Sequence, residues 1–304
     1  MYPIVTVDPR LKLHHEQLGT KPKFWYRDGQ RRMLFKAEER GTGEDWAEKI
    51  ACELCRLLGL PHVHYELALE SGGPTPGVVC ETCAPPPSAL VLANQLLLAI
   101  DPNYPGKAGR RYKVHEHTVD AVSQAVQLLQ PPPAAWCVNM PAGIVSAMEV
   151  FTGYVMLDAW IANQDRHHEN WGVLLVTETL HLAPTFDQGA SLARNLGDDE
   201  RQDRLNTRDQ GRMVRHFVRR ARSAFYADVA ASRPLTTLQA WREFSARSSA
   251  AGAAWLASLA AINDDTIRGV VEEVPTHRMS RISRDFTTAL LIENKRRLLA
   301  NEDE

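Results

Sequence analysis

An unbroken run of eight polar residues, Asn163-Gln164-Asp165-Arg166-His167-His168-Glu169-Asn170, constrains this chain more than any other feature. Residues 142–162 before it read as a long apolar helix, with Met148, Phe151, Met156 and Trp160 as core residues. Residues 171–176 after it read as a strand. Core packing does not produce such a run, because unpaired charge is expensive to bury. An ordinary turn favours Gly or Pro, and neither occurs between Asn163 and Asn170. Residues 171–176 and 180–182 flank Thr177-Glu178-Thr179 as a short hairpin. That hairpin carries the chain back, so Asp187 in Ala183-Pro184-Thr185-Phe186-Asp187-Gln188-Gly189 is expected beside Asp165 and Asn170.

Two carboxylates and an amide converging in this way suit phosphoryl transfer. That chemistry needs a carboxylate to orient the attacking hydroxyl and oxygen ligands for Mg²⁺ on the phosphates. The spacing of five from Asp165 to Asn170, followed by a second Asp after a hairpin, is the arrangement kinases use. A metal site built from His167, His168 and Asp165 is the competing reading. Adjacent histidines on a turn face different sides and chelate poorly together, and a solvated loop is the bland alternative.

The first part of the chain reads as strands plus one helix. Residues 23–26 and 32–36 flank Arg27-Asp28-Gly29-Gln30 as a hairpin. Trp46, Ile50, Leu54, Leu57 and Leu58 share one helical face, and Gly59 and Pro61 end the helix. Residues 62–69 and 78–82 read as further strands. Lys36, at the end of a strand, is placed to reach nucleotide phosphates, with Glu48 or Glu53 of the helix as its partner. Gly19-Thr20-Lys21-Pro22-Lys23 lies one strand pair earlier, where a phosphate loop would lie. Ala84-Pro85-Pro86-Pro87 is a stiff linker. It divides the chain into a small strand-rich lobe, residues 1–84, and a large helical lobe, residues 85–304, of an α+β protein.

A formal net charge of −2 gives no whole-molecule signal for nucleic acid. The N-terminus lacks a basic region followed by an apolar run, and no stretch is long and apolar enough to span a membrane. The expected location is cytoplasmic. The five cysteines include two pairs, Cys52-Glu-Leu-Cys55 and Cys80-Glu-Thr-Cys83. Their separation exceeds the usual zinc-ribbon range, and the first pair lies inside the amphipathic helix, so buried free thiols are the favoured reading.

These residues resemble the HipA-like kinases, which share the protein-kinase-like fold with the phosphatidylinositol kinases. The segment Asn163 to Asn170 is similar to the family's Asn-x-Asp-Arg-His-x-x-Asn. Ala183 to Asp187 is similar to its Ala-Pro-x-aromatic-Asp motif, and Gly19 to Lys23 to its phosphate loop, with Lys21 departing from the family's Gln. Glu48, eleven residues before Gly59, matches the family's helix glutamate better than Glu53. The resemblance is to a short form without the additional N-terminal subdomain of the full-length toxins.

The resemblance implies a bilobal serine/threonine kinase using ATP and Mg²⁺. It implies Asp165 as catalytic base, with His167 of the same motif and Lys36 completing the catalytic set. It implies Asn170 and Asp187 as magnesium ligands. Gly19, Thr20, Lys21, Lys23, Lys36 and Glu48 would serve the phosphates, and Glu81 to Cys83 the adenine. It implies autophosphorylation at a phosphate-loop hydroxyl, for which Thr20 is the candidate. A protein substrate is expected, and an antitoxin-like partner is a weaker implication because the extra subdomain is missing. Two alternatives stay open: a lipid or small-molecule kinase of the same fold, and a non-catalytic nucleotide-binding module.

Overall fold

The Asp28-Gly29 turn folds the first long ladder: β3 (Lys23–Asp28) pairs antiparallel with β4 (Arg31–Ala37), which sets Lys23 opposite Lys36. The computed structural model describes residues 1–15, 22–38, 41–73, 75–106 and 112–300. Preceding the hairpin are β1 (Ile4–Val7) and β2 (Lys12–His15), and following it are α1 (Glu44–Leu58), β5 (Tyr65–Glu70) and β6 (Pro76–Glu81). The six strands form one sheet in the order β1-β5-β6-β4-β3-β2. It is antiparallel except for β1, which runs parallel to β5. β1 and β2 were not expected from the sequence, since each is only four residues long at a sheet edge.

α1 ends as its sequence predicts. Gly59 takes φ 73° at the C-terminal cap, and a Cβ there would stand 1.9 Å from the Asn139 carbonyl oxygen. Only glycine suits both the left-handed backbone and that close approach. α1 lies between the sheet and the helical part, and almost all of its residues are buried.

β7 (Ala89–Leu92) and α2 (Ala93–Ile100) follow the prolines. The apolar stretch that begins at Ala89 reads as helical in the sequence, but its first four residues form a strand. The reason is tertiary: β7 pairs with β8 (Gly172–Val176), which pairs with β9 (Thr179–Leu182), in a second, three-stranded sheet. Between them come α3 (Val119–Gln127) and α4 (Ala147–Trp160). α4 is shorter than the apolar run suggests. Ser146 and Glu149 form a reciprocal capping box that fixes its start, after a turn containing Pro141 and Gly143.

The remainder is helical: α5 (Asp198–Asn206), α6 (Val214–Arg219), α7 (Thr237–Arg247), α8 (Ser249–Ala261), α9 (Asp264–Glu272) and α10 (Arg281–Ala300). α4 is the hub of this part and packs against α3, α7, α8 and α10. No helix among the described residues is long and apolar enough to cross a membrane.

All five cysteines are free thiols. The two Cys-x-x-Cys pairs do not assemble into one four-sulfur group among the described residues. Cys80 and Cys83 lie in the apolar core beneath the six-stranded sheet, where burial pushes their thiols up to about 12 and about 11. They act there as small apolar side chains.

Trp255 of α8 is fully buried, and its ring lies over Gly153 of α4 while its Nε1 donates to the Glu149 carbonyl at 2.8 Å. Trp255→Ala is expected to lower stability by about 3–5 kcal/mol, through lost burial and the cavity left behind. Urea unfolding of the two proteins measures the difference.

Candidate active site

α4 delivers the polar run. Ile161 caps the helix, Ala162 takes φ 52°, and the Asn163 N–H returns to the Asp158 carbonyl at 2.9 Å. This is a Schellman ending with a non-glycine residue in the left-handed position. Asp158, one turn inside the helix, then grips the loop with its side chain. Its Oδ1 accepts from Asn163 Nδ2 and Arg166 Nη2, and its Oδ2 from Arg166 Nε, each at 2.8 Å.

Arg166 is 1% exposed and spends its remaining nitrogen on two further elements. Nη1 donates to Asn170 O at 3.2 Å and to Thr185 Oγ1 at 2.8 Å. One buried guanidinium thus joins the helix end, the polar loop and the segment carrying Asp187. The first turn of α2 adds a brace, since Ala93 and Asn94 donate their N–H groups to the carbonyls of Trp171 and His168.

The loop so held presents Asp165 and Asn170 together. Asn170 Nδ2 donates to Asp165 O at 2.7 Å and to Asp165 Oδ2 at 3.2 Å. Those bonds commit the amide nitrogen and leave its oxygen as the group suited to a cation. Tyr112 donates its hydroxyl to Asp165 Oδ1 at 3.2 Å, and His167 Nε2 lies 3.5 Å from the same oxygen.

His168 turns the other way. Its Nδ1 meets the Tyr104 hydroxyl at 2.8 Å, and its ring packs edge-on to buried His117. The rings of His167 and His168 stand nearly perpendicular, and no cluster joining them to Asp165 is present among the described residues as a metal-holding group. The competing histidine-metal reading is therefore not the geometry that forms.

The β8–β9 hairpin returns the chain as expected. Ala183 N donates to Gly172 O, and Asp187 arrives in the cleft with φ 61°. Lys36 Nζ lies 2.9 Å from Asp187 Oδ1 and 3.3 Å from the Tyr65 hydroxyl, which in turn accepts the Asp187 N–H at 3.4 Å. Burial pushes the Lys36 ammonium down. Asp187, with Tyr65 and Glu48 behind it, outweighs that and holds the pKa well above the ordinary lysine value. Lys36 therefore stays charged throughout the physiological range.

The two helix glutamates separate cleanly. Glu53 is engaged by Lys49 and Arg56, each at 2.8 Å, away from Lys36. Glu48 lines the cleft and accepts the N–H groups of Gln188 and Gly189, both at 2.9 Å. A Cβ at Gly189 would stand 2.9 Å from Glu48 Oε2, so glycine permits that approach. Glu48 thus ties α1 to the backbone just after Asp187.

The cleft has two adjoining hollows, of ≈ 400 and ≈ 450 Å³, and both are lined by Lys23, Lys36, Asn170 and Asp187. The first is polar and reaches Asp165, His167 and Glu48. The second is more apolar, with Leu34, Val63 and Leu90, and ends at Glu81 and Cys83. Gly19, Thr20 and Lys21 lie outside the described residues.

The sequence reading missed Tyr65, Tyr112 and Asp158. Only Asp158 left a signal, as an acid inside an apolar helix, which needs a buried partner.

No family model and no curated protein matches the sequence. Solved structures do. A proinflammatory kinase from Helicobacter pylori, CtkA, matches with a TM-score of 0.72 at 19% identity, over 98% of this chain and 96% of that one. The fold is that of a solved kinase. HipA of Shewanella oneidensis, solved with HipB and operator DNA, matches with a TM-score of 0.60 at 12% identity, over 98% of this chain and 69% of that one. The α+β architecture is thus the bilobal kinase-like fold, with the strand-rich sheet and the helical part as its lobes.

Removing one member of the buried pair leaves an uncompensated charge. Asp158→Ala is expected to destabilise the protein by about 3–5 kcal/mol, while a double variant, Asp158→Leu with Arg166→Met, recovers much of that loss. Urea denaturation of the single and double variants reads both effects.

Proposed function

We propose that this protein is an ATP- and magnesium-dependent phosphotransferase, a serine/threonine protein kinase of the HipA-like kind. The observation that carries the reading is the Lys36–Asp187 pair at 2.9 Å across a cleft that also holds Asp165 and Asn170. The donors suit the cofactor: a carboxylate and an amide oxygen are the hard ligands magnesium takes. The apolar hollow ending at Glu81 and Cys83 suits a flat adenine ring.

On this reading Asn170 and Asp187 hold the metal, Lys36 and Lys23 neutralise phosphate charge, and residues 19–21 supply the phosphate loop. Bound Mg-ATP supplies the transferable phosphoryl group and neutralises its developing charge. Asp165 accepts the proton of the attacking hydroxyl. Support for that role comes from Tyr112, whose hydroxyl already donates to this carboxylate. His167 and Asn170 orient Asp165 from its two sides. Glu48 fixes the backbone after Asp187 and so keeps that carboxylate facing Lys36.

The two lobes divide at residues 84 and 85 on the same reading, and the protein acts in the cytoplasm on a protein substrate. An antitoxin-type partner goes with the likeness to HipA, whose solved complex contains HipB. Thr20 is the proposed autophosphorylation residue. A phosphate there adds about −1.5 to −2 charge where the triphosphate would lie, and so weakens ATP binding.

Millimolar Mg-ATP is expected to raise the melting temperature of the wild type and to do so far less for Asp187→Ala, because a ligand that binds only the native state stabilises it. No rise in the wild type would remove the kinase reading. Asp165→Asn is expected to keep nucleotide binding while transfer of label from ATP falls about 10²–10⁴-fold. Mass spectrometry after incubation with Mg-ATP is expected to find phosphate on Thr20. Label recovered in a lipid extract instead of protein would favour a lipid kinase.

A further inference from the structure

One turn along α1 from Glu48, Cys52 meets two histidines that no part of the proposed chemistry uses. We propose that Cys52, His62 and His64 form a binding site for a divalent transition metal of the zinc class, with a fourth position left for water or an outside ligand. One ligand atom from each of the three residues lies within 4.8 Å of the others. Cys52 Sγ and His64 Nδ1 are 3.7 Å apart. Tetrahedral zinc, with bonds of about 2.3 Å to sulfur and about 2.0 Å to nitrogen, needs nearly that separation.

The outer contacts fix the tautomers. His64 Nε2 lies 2.7 Å from Glu66 Oε1, and a carboxylate can only accept, so the proton sits on Nε2 and the Nδ1 lone pair faces Cys52. His62 Nδ1 lies 2.6 Å from the Leu60 carbonyl, which likewise only accepts, leaving the Nε2 lone pair of His62 for a metal. Both are the arrangements in which a ligating histidine donates its second N–H to a carboxylate or a carbonyl. Glu66 is itself steadied by Lys49, which lies 2.9 Å from its Oε2.

Burial holds the Cys52 proton on up to about 12, so metal binding must release it. The thiolate then keeps two supports: the Tyr65 N–H donates to Sγ at 3.3 Å, and the Lys49 charge lies nearby. One thiolate and two imidazoles select zinc, cobalt or copper over magnesium and calcium.

The site's place gives it leverage. Cys52 follows Glu48 by one turn of α1. His62 and Val63 pair with Thr185, two residues before Asp187, through Val63 N to Thr185 O and Thr185 N to Pro61 O, both at 2.9 Å. A metal there ties α1 to the strand segment against which the Asp187 loop is laid.

Cobalt is the probe, added to metal-free, reduced, full-length protein without nucleotide, so that the result does not depend on the kinase reading. One equivalent of Co²⁺ is expected to give a thiolate-to-cobalt charge-transfer band and the intense visible bands of a four-coordinate site. Cys52→Ser is expected to abolish the charge-transfer band. His64→Ala, at an exposed position where folding is undisturbed, is expected to weaken binding on the order of tenfold or more, and Glu66→Gln to weaken it less. No charge-transfer band in the wild type overturns the proposal. So does a band that survives Cys52→Ser, or an affinity unchanged in His64→Ala.

Discussion

The Arg166–Asp158 pair is the interaction on which the rest of the site depends. A buried ion pair adds little net stability, because desolvation offsets the attraction. Here it supplies position. The guanidinium is fully enclosed, and its contacts reach three elements: two end on Asp158 at the end of α4, one on Asn170 of the polar loop, and one on Thr185 before Asp187. Moving any one of these elements would leave a charged group buried without its partner. The penalty for that is large enough to hold polar loops in an arrangement that apolar packing alone does not specify.

The cleft is built on this anchor from two independent sources. The large-lobe residues Asp165, Asn170 and Asp187 are set by the pair and by the β8–β9 hairpin. Lys36 comes from the middle of the small sheet, in register with Lys23 on one side and Val78 on the other. Lys36 and Asp187 are therefore the point where two separately determined frameworks meet. Glu48 adds a second tie, by accepting the backbone N–H groups of Gln188 and Gly189.

Much of this was legible in the sequence, because it rests on local rules. The hairpin around Asp28-Gly29, the helix ended by Gly59 and the return of Asp187 after the short β8–β9 turn each follow from spacing and turn chemistry. What was not legible depends on contacts distant in sequence. The strand at Ala89–Leu92 exists because β8 is there to pair with it. The choice of Glu48 over Glu53 follows from where Lys49 and Arg56 point, since both glutamates flank the same apolar arc. The paired cysteines read as a motif along the chain, whereas the group that forms takes one of them and two histidines from beyond the helix.

The short bridge between residues 61–63 and Thr185 belongs to both halves of the molecule. Its backbone hydrogen bonds run from the segment leading into the small sheet to the strand-like stretch leading to Asp187. Any opening of the cleft must therefore pivot about this seam, since separating it would expose paired amides in a buried place. The seam lies close to Asp187, and through Val63, which packs with Cys83, it also adjoins the Glu81–Cys83 end of the cleft. Opening of the cleft therefore has to come from the side away from this seam and from the 84–87 linker beside Cys83.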